Sequence, residues 1–505
     1  MRRLSILLIL ALLALASISA CANAEANVLP TPTLAPTLAP TRGPVANPGS
    51  APTVERTPTT PPQATATRTA TATATPTSTI TPTPTVTPTP LQTFAVSQCA
   101  EIWQPGIYKL TRDIVAPGTR DCFYIQSHDV TFDCDNHIIQ ADTKNVKDKQ
   151  YAYSAFHVRK FNFPLLESPT NVEIKNCRAR YFKFGLYVAS GKNIYVHDNV
   201  FSDNLNTIDH TGFGIFLGLT EGGGIRFDDV RDGRIENNTT ENQAIGIDVR
   251  NSDRIVIRNN TSSKNSAWGI NLLNTSNSEV SSNTTSENVR YCKWGNGTVG
   301  RGCDAAGIIL QDGSSNNIIR DNQVLGDNAN GIFIKAHGVR CGDNNTIQNN
   351  KILGALYNAV ELSFCKNNRI IGNEMAGSYD AVYFGFTTGT EVRDNLIRDM
   401  RNHGIITWNS RGSVIANNEI VNSRMGIYMY WDEWDPKQFG FLPPSPDKYA
   451  TRDNLIEGNF IHDNAVVGIR LSNSIFTRVL NNTFANNAKH IVTDGKTDGN
   501  TIQSP

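Results

Sequence analysis

The sequence feature that most constrains the fold is a repeat of 22 to 23 residues. An asparagine that follows an Ile- and Val-rich tripeptide and precedes another apolar pair marks each repeat, and four intervals are longer, at 28 to 41 residues. The members of this asparagine column are Asn176, Asn199, Asn238, Asn260, Asn283, Asn322, Asn350, Asn373, Asn395, Asn418, Asn459 and Asn482. A second column places Gly or Ala before Ile, Leu or Val, at Gly185, Gly214, Gly246, Gly269, Gly307, Gly331, Ala359, Ala381, Gly404, Gly426 and Gly468. Two columns in one register indicate a solenoid of stacked repeats.

Each repeat contains three short runs of alternating apolar and polar residues, such as GLYVAS, NIYVHDN and VFSDN. Period-two alternation with β-branched residues predicts three short strands, so each repeat forms one coil of a parallel β-helix and the fold is all-β, with about 13 coils. Asparagine suits the tight turns because it tolerates the left-handed conformation, and its amide can stack from coil to coil. A leucine-rich repeat is the alternative solenoid, but it requires Leu at fixed spacings and a helical return.

The segment from Cys99 to Asp142 carries a family resemblance. Its runs GIYKLTRDI and DCFYIQSHDVTFDCDNHIIQ resemble the opening coils of bacterial right-handed parallel β-helix proteins of the carbohydrate-binding and sugar-hydrolase class. That class includes pectate-lyase-like proteins and the periplasmic copper-binding, nitrous-oxide-reductase maturation type. The resemblance covers nearly all of residues 95–505. It implies a right-handed coil and a carbohydrate partner, whereas the repeat motif itself is architectural and assigns no activity.

The N-terminus predicts export. Arg2 and Arg3 precede an apolar run over residues 4–16, which is the layout of a secretory signal and too short for a stable membrane span. Cys21 follows Ile-Ser-Ala, as in a bacterial lipobox, so residues 1–20 are expected to be removed and Cys21 lipidated. Cleavage after Ala24 is the alternative and would release a secreted protein. We therefore expect a lipid-anchored protein at the cell surface or membrane, with no other membrane contact.

A composition break divides the remainder. Residues 21–93 are rich in Thr, Pro and Ala, which cannot bury enough apolar surface to offset the ordering entropy, so this segment predicts a disordered stalk. Residues 94–505 are expected to form the β-helix domain. Forty-six basic and 46 acidic residues give no net charge, which argues against a nucleic-acid partner. We expect a monomer.

Eight cysteines follow Cys21, an even number that predicts disulfides in an exported chain. The expected pairs are Cys99 with Cys122, Cys134 with Cys177, Cys292 with Cys303, and Cys341 with Cys365. No Cys/His cluster has zinc spacing, and the Met and His residues do not cluster as copper ligands would, so no metal is assigned. Calcium binding remains an alternative, because Asp228, Asp229 and Asp232 supply the oxygen ligands that calcium prefers. Their spacing alone does not define a site.

The first strand of each coil is the predicted binding face. Because the apolar residues of the Gly-Ile-x-Leu run point inward, the second and fourth residues after Gly point outward. Aromatic rings that stack on sugars, with charged groups that bond hydroxyls, make this face a candidate polysaccharide groove. The predicted substrate-binding residues are Asp248, Arg250, Asn271, Gln311, Asp312, Trp408, Tyr428, Tyr430 and Trp431. Long repeats at residues 219–234, 286–306 and 431–451 are expected to form walls. Alternatively, the aromatic rings only cover the sheet.

The predicted catalytic residues are Lys335, His337, Glu361 and Tyr383, which fall on three successive coils. A polysaccharide lyase or epimerase needs a base, an acid and a cation that neutralises the uronate carboxylate. Lys335 or His337 is the candidate base, Tyr383 the acid, and Arg250 or Lys335 the cation. A hydrolase needs two carboxylates about 5–10 Å apart, for which Asp312 with Glu361 is the candidate pair.

Two other functions are compatible with the sequence. Lys335 and Glu361 form a surface ion pair of little consequence if they are not catalytic. The chain is then a non-catalytic glycan-binding or adhesin module. More remotely, the family resemblance admits a copper-handling periplasmic accessory protein.

Overall fold

A computed structural model describes the chain over residues 91–143, 151–161, 167–204, 222–288, 305–326, 329–335, 341–431 and 450–503, and the backbone alone of 291–293 and 299–301. The predictions for Cys21, the leader and most of the stalk concern residues 1–90, outside these ranges. The described residues form strands and turns and no helix. None of them belongs to a helix long and apolar enough to cross a membrane.

Three parallel sheets run the length of the domain, and most coils contribute one strand to each sheet. Sheet 1 has 15 described strands: Ala100–Ile102, Phe123–Ile125, Ser154–Val158, Phe184–Val188, Gly223–Asp228, Ile245–Arg250, Trp268–Leu273, Ala306–Gln311, Asn330–Lys335, Asn358–Ser363, Asp380–Gly385, His403–Trp408, Met425–Tyr430, Val467–Ser472 and Ile491–Asp494. Neighbouring strands pair in parallel, coil upon coil. The predicted parallel β-helix is confirmed, with slightly more coils than the 13 expected.

The other two sheets complete each coil. Sheet 2 contains Thr93–Val96, Gly106–Leu110, Val130–Asp133, Thr170–Lys175, Gly191–His197, Val230–Arg231, Arg234–Glu236, Val256–Arg258, Glu279–Ser281, Ile318–Arg320, Thr346–Gln348, Arg369–Ile371, Glu391–Arg393, Val414–Ala416, Leu455–Glu457, Arg478–Leu480 and Thr501–Ile502. Sheet 3 contains Ile114–Ala116, Ile138–Ala141, Arg178–Arg180, Val200–Ser202, Thr239–Glu241, Thr261–Ser263, Thr284–Ser286, Gln323–Leu325, Lys351–Leu353, Glu374–Ala376, Leu396–Arg398, Glu419–Val421, Phe460–His462 and Thr483–Ala485. A separate antiparallel pair joins Tyr291–Lys293 to Val299–Arg301.

The core is one continuous apolar column inside the coils. Its inward positions repeat the same residue types at each level, as at Ile247, Ile270 and Ile308, all fully buried. Stacking coils buries these side chains without widening the core, so the domain can exceed the size limit of a single globular core.

The Gly column produces a local break in strand alternation. A Cβ on Gly246 would lie 1.9 Å from Ser262 Oγ, so this position faces the crowded interior. Where the column carries alanine, Ala381 and the following Val382 both belong to the core. Two successive residues therefore point inward, and the residue before the glycine points outward.

The asparagine column forms a hydrogen-bonded ladder. From Asn199 to Asn482, each Nδ2 donates to the Oδ1 of the next member at 2.9–3.0 Å. The predicted amide stacking is confirmed. Two details were wrong. Cys177, whose N–H donates to Asn199 Oδ1, holds the ladder position expected for Asn176. The left-handed conformation belongs to the residue before the ladder position, as in Asn237 with φ of 55°.

One member of the Gly column was also wrong. The sheet 1 strand of that coil is Gly223–Asp228, with Gly224 in place of Gly214. Gly224 lies 14 residues before Asn238, the same spacing as from Gly246 to Asn260, so the extra residues of this long repeat precede Gly223 and the predicted insertion at 219–234 was wrong from residue 223 onward.

Three predicted disulfides are confirmed: Cys99–Cys122, Cys134–Cys177 and Cys341–Cys365. Each joins positions in neighbouring coils, with Cα atoms 4.5–5.1 Å apart. The side chains of Cys292 and Cys303 lie outside the described residues, so that pairing stays a prediction.

Candidate functional site

The outer face of sheet 1 has three columns of side chains. The middle column, second after the glycine, contains Glu101, Tyr124, His157, Tyr187, Arg226, Asp248, Asn271, Ile309, Phe333, Glu361, Tyr383, Ile406, Tyr428, Arg470 and Val492. The trailing column, fourth after the glycine, contains Asp228, Arg250, Leu273, Gln311, Lys335, Ser363, Gly385, Trp408, Tyr430, Ser472 and Asp494. The leading column, just before the glycine, contains Phe184, Gly223, Ile245, Trp268, Ala306, Asn330, Asn358, Asp380, His403, Met425 and Val467.

Four of the predicted binding residues form a chain of polar contacts across three coils. Arg250 Nε donates to both carboxylate oxygens of Asp248, at 3.0 and 2.9 Å. Asn271 Nδ2 donates to Asp248 Oδ1 at 2.8 Å, and Gln311 Nε2 donates to Asn271 Oδ1 at 2.7 Å. Asp248, Asn271 and Gln311 are buried. These side chains engage one another, so their described contacts are those of a structural network.

An apolar patch beside this chain is buried on the same face. Trp268, Ile309 and Phe333 belong to a cluster that is separate from the core inside the coils. Lys335 is also buried, and its Nζ lies 5.8 Å from the centroid of Phe333. The middle of the outer face is therefore shielded from solvent.

The structure brings three predicted catalytic residues together on successive strands. Phe333 pairs with Glu361 and Glu361 with Tyr383, so Glu361 and Tyr383 are direct neighbours and Lys335 is diagonal to Glu361. Glu361 and Tyr383 are partly exposed. Asn358 Nδ2 donates to Glu361 Oε2 at 2.8 Å, which fixes that carboxylate.

Two other predicted residues are placed differently. His337 lies outside the described residues. Asp312 occupies a turn just beyond its strand, with φ of 44°, two coils below Glu361. It lies three positions further along the coil than the middle column and two coils away from Glu361, which argues against the two carboxylates as a hydrolase pair.

A buried Asp–His pair adjoins this group and was missed by the sequence reasoning. His403 Nδ1 lies 2.8 Å from Asp380 Oδ1, and the backbone N–H of His403 donates to the same oxygen at 2.9 Å. The His403 ring stacks on Tyr428 at 5.4 Å between centroids. Asn402 Nδ2 also contacts His403 Nδ1, at 2.7 Å. Both partners are in the leading column, which simple alternation assigns to the interior. Polar residues recurring before the glycine were the available signal.

Aromatic rings continue from this pair along the face. Phe364 stacks on Phe386 at 5.0 Å, and Phe386 meets Trp408 edge-on at 4.8 Å. Trp408 stacks with Tyr430 at 6.2 Å, and Tyr430 with Tyr428 at 5.0 Å. All five rings are partly exposed. We call this series the aromatic band.

Trp431 lies at the end of the band and is buried. Lys496 Nζ lies 5.3 Å from the centroid of the Trp431 ring. The backbone N–H of Trp431 donates to Ser472 O at 3.2 Å. The side chains of residues 289–304 and 432–449, which make up most of two predicted walls, lie outside the described residues, so these walls stay a prediction.

The described part of the chain holds no group of three or more His, Cys, Asp or Glu side chains arranged for a metal ion. The acidic residues considered for calcium have other contacts. Asp228 accepts from Arg226 at 3.2 Å, and Asp232 accepts from Arg254 at 2.6 Å.

Several solved structures are similar to this chain in outline. The A-module of the Azotobacter vinelandii mannuronan C-5 epimerase AlgE6 is 14% identical, with 80% of this chain and 91% of that chain covered and a TM-score of 0.41. The periplasmic alginate epimerase AlgG is 12% identical, with 78% of both chains covered and a TM-score of 0.42. The Dettilon tailspike protein is 14% identical, with 64% and 61% covered and a TM-score of 0.37. At these TM-scores no functional conclusion follows.

No curated protein matches the chain. The family model described as right handed beta helix region matches residues 206–345 and 337–504, which together exceed half of the chain. The chain therefore belongs to the right-handed β-helix family.

Proposed function

We propose that this protein is exported and binds an extracellular acidic polysaccharide along the C-terminal half of the outer face of sheet 1. Three disulfides support an oxidising compartment. The observation that carries the proposal is the continuity of two features: His403, paired with Asp380, stacks on Tyr428, which belongs to the aromatic band. Rings suited to stacking on pyranose faces thus lead directly to an Asp–His pair suited to proton transfer.

We further propose lyase or epimerase chemistry at this place. A base removes the proton from the carbon next to the uronate carboxyl, and a cation stabilises the charge that develops on that carboxylate. Lys335, which is buried one coil from Glu361, is the proposed cation, because Arg250 lies four coils from Glu361, roughly 19 Å at the spacing of parallel strands. In an epimerase, a proton returns to the opposite face of the carbon. In a lyase, the bond to the neighbouring glycosidic oxygen breaks, a double bond forms and the oxygen receives a proton.

Tyr383 and His403 are the proposed proton donor and acceptor, and Glu361 orients the sugar between them. Tyr383 is partly exposed beside Glu361, and its phenol can give up or accept a proton. Asp380 holds His403 Nδ1 and leaves Nε2 as the position for a proton.

A non-catalytic glycan-binding or adhesin module is the second candidate, and the aromatic band favours it, because stacked rings alone suffice to retain a polysaccharide.

The test uses the purified protein with polygalacturonate, polymannuronate and polyglucuronate. Ultraviolet absorbance detects unsaturated products of a lyase, proton NMR detects an epimerised sugar, and retention on immobilised polymer measures binding. Conversion supports the enzyme, and retention without conversion supports the binding module. If none of the polymers is converted or retained, the proposed function is overturned.

A further inference from the structure

A second Asp–His pair lies near the N-terminal end of the outer face of sheet 1. His157 Nδ1 is 2.7 Å from Asp121 Oδ2, and the backbone N–H of Ser154 donates to Asp121 Oδ1, also at 2.7 Å. Burial by itself raises the pKa of Asp121, but the hydrogen bonds from His157 and Ser154 outweigh it, so the pKa lies below its usual value. The carboxylate is thus charged and accepts a proton-bearing Nδ1, which leaves Nε2 of His157 as an acceptor.

The contacts above this pair repeat those of the C-terminal pair. The His157 ring stacks on Tyr187 with centroids 4.9 Å apart and planes at 22°, and Arg226 Cζ lies 5.4 Å from the centroid of Tyr187.

The C-terminal series has closely similar values. His403 stacks on Tyr428 at 5.4 Å and 29°, and Arg470 Cζ lies 5.4 Å from the centroid of Tyr428. In each series Asp, His, Tyr and Arg come from four successive coils. In each, a further carboxylate orients the guanidinium: Asp228 bonds Arg226 and Asp494 bonds Arg470.

Three of the four residues of the N-terminal series are accessible to a ligand, and the fourth, Arg226, is buried against Tyr187 and Asp228. The side chains of Asp121 and His157 are 19% and 17% exposed, and Tyr187 is partly exposed. Tyr124 meets His157 edge-on at 5.2 Å, and Arg159 Cζ lies 5.0 Å from the centroid of Tyr124. The Tyr187 ring lies between His157 and Arg226, so its phenol, the imidazole acceptor and the guanidinium of Arg159 are the groups that can bond an acidic pyranose.

The two series are separate places on one face. Nine strand steps in sheet 1 lie between His157 and His403, which is roughly 43 Å at about 4.8 Å per step. The face between them carries the buried patch around Trp268 and Phe333. A single sugar residue cannot contact both series.

We propose that Asp121, His157, Tyr187 and Arg226, with Tyr124 and Arg159 at the rim, form a second binding site for an acidic pyranose. The class of sugar rests on the proposed function, whereas the site itself rests on the contacts of these residues. The protein then holds two sugar-binding sites per chain.

The test is calorimetric titration with a short oligosaccharide of whichever uronate polymer the unaltered protein retains. Two binding equivalents per chain are expected. The double variant H157A/Y187A is expected to bind one, and so is Y428A. His157→Gln provides a milder substitution if the double variant unfolds. The matched control is His197→Ala, which removes an imidazole that contacts Glu173 and Asp198 on sheet 2 and is expected to leave two equivalents.

The outcomes separate the two proposals. One equivalent in the unaltered protein that is lost in Y428A and kept in H157A/Y187A would overturn the second site and leave the proposed function standing. Two equivalents that persist in both His157 variants would also overturn it. If no uronate polymer is retained by the unaltered protein, the proposed function and the sugar class of this site fail together.

Discussion

Glu361 and Tyr383 are 22 residues apart in the sequence and are direct partners in the pairing of two neighbouring parallel strands. The repeat length thus decides which side chains meet, because residues one coil apart are about 4.8 Å apart along the axis. Chemistry on this face is assembled from several coils, and Lys335, Glu361 and Tyr383 each come from a different one.

Tyr383→Phe keeps the ring and removes the phenol. If Tyr383 transfers a proton, turnover of the uronate polymer falls by about a hundredfold or more, because proton transfer by a placed side chain contributes about 10²–10⁴. Retention on immobilised polymer is expected to stay within about twofold, since the ring still packs. Tyr195→Phe on sheet 2 is the matched control, as its hydroxyl bonds Glu236 away from this face. Unchanged turnover in Tyr383→Phe would remove this residue from the chemistry.

Trp408→Ala tests the aromatic band. Trp408 contacts both Phe386 and Tyr430, so its removal interrupts the band at its centre. We expect affinity for the retained polymer to fall by about three- to tenfold, the equivalent of a lost stacking contact. Phe460→Ala removes an aromatic ring that is 40% exposed on sheet 3, and retention is expected to stay unchanged in that control. Equal losses in both variants would mean that the band has no special part in binding.

The fold was predictable because each repeat has the same residue types at the same positions of the coil. Asn260 and Asn283 stand in one column of the sequence, and the structure joins their amides. Cysteines about one coil apart, such as Cys341 and Cys365, could be paired for the same reason.

The site was less predictable because it depends on exceptions to the pattern. Strict alternation predicts that the residue before the glycine points inward, so Asp380 and His403 were not predicted to lie on the outer face. The inward turn of both Ala381 and Val382 reverses that direction. Burial of Asp248 and Asn271 also depends on what covers the face, which a repeat pattern does not record.

Acid is expected to weaken the fold through Glu236 on sheet 2. Burial by itself raises the pKa of Glu236, but the hydrogen bonds of Arg234 and the charges of Arg234 and Arg258 outweigh it, so the pKa lies below its usual value. A folded-state pKa below the unfolded value of about 4.3 means that Glu236 stabilises the fold above that pH and loses this contribution as the pH falls through the lower folded value.

The measurement is the free energy of unfolding in urea at a series of pH values from neutral to acid. The unaltered protein is expected to lose stability on acidification more steeply than Glu236→Gln, which has no proton to take up at this position. Glu101→Gln, at an exposed glutamate, is expected to follow the unaltered protein. Parallel pH curves for the unaltered protein and Glu236→Gln would contradict the assignment.

Removing one amide from the asparagine ladder is expected to lower the free energy of unfolding substantially. Asn283 Oδ1 accepts from both N–H and Nδ2 of Asn260, and its own Nδ2 donates to Asn322 Oδ1 and Ile257 O. Asn283→Ala leaves the Asn260 N–H and the Ile257 carbonyl without these partners in a buried place, so the free energy of unfolding falls by about 2–4 kcal/mol. Thr284→Ala, at the next and partly exposed position, is expected to cost less than about 0.5 kcal/mol. Similar losses in the two variants would show that the stacked amides contribute no more than a surface side chain, and the ladder would then specify the register of the coils without stabilising them.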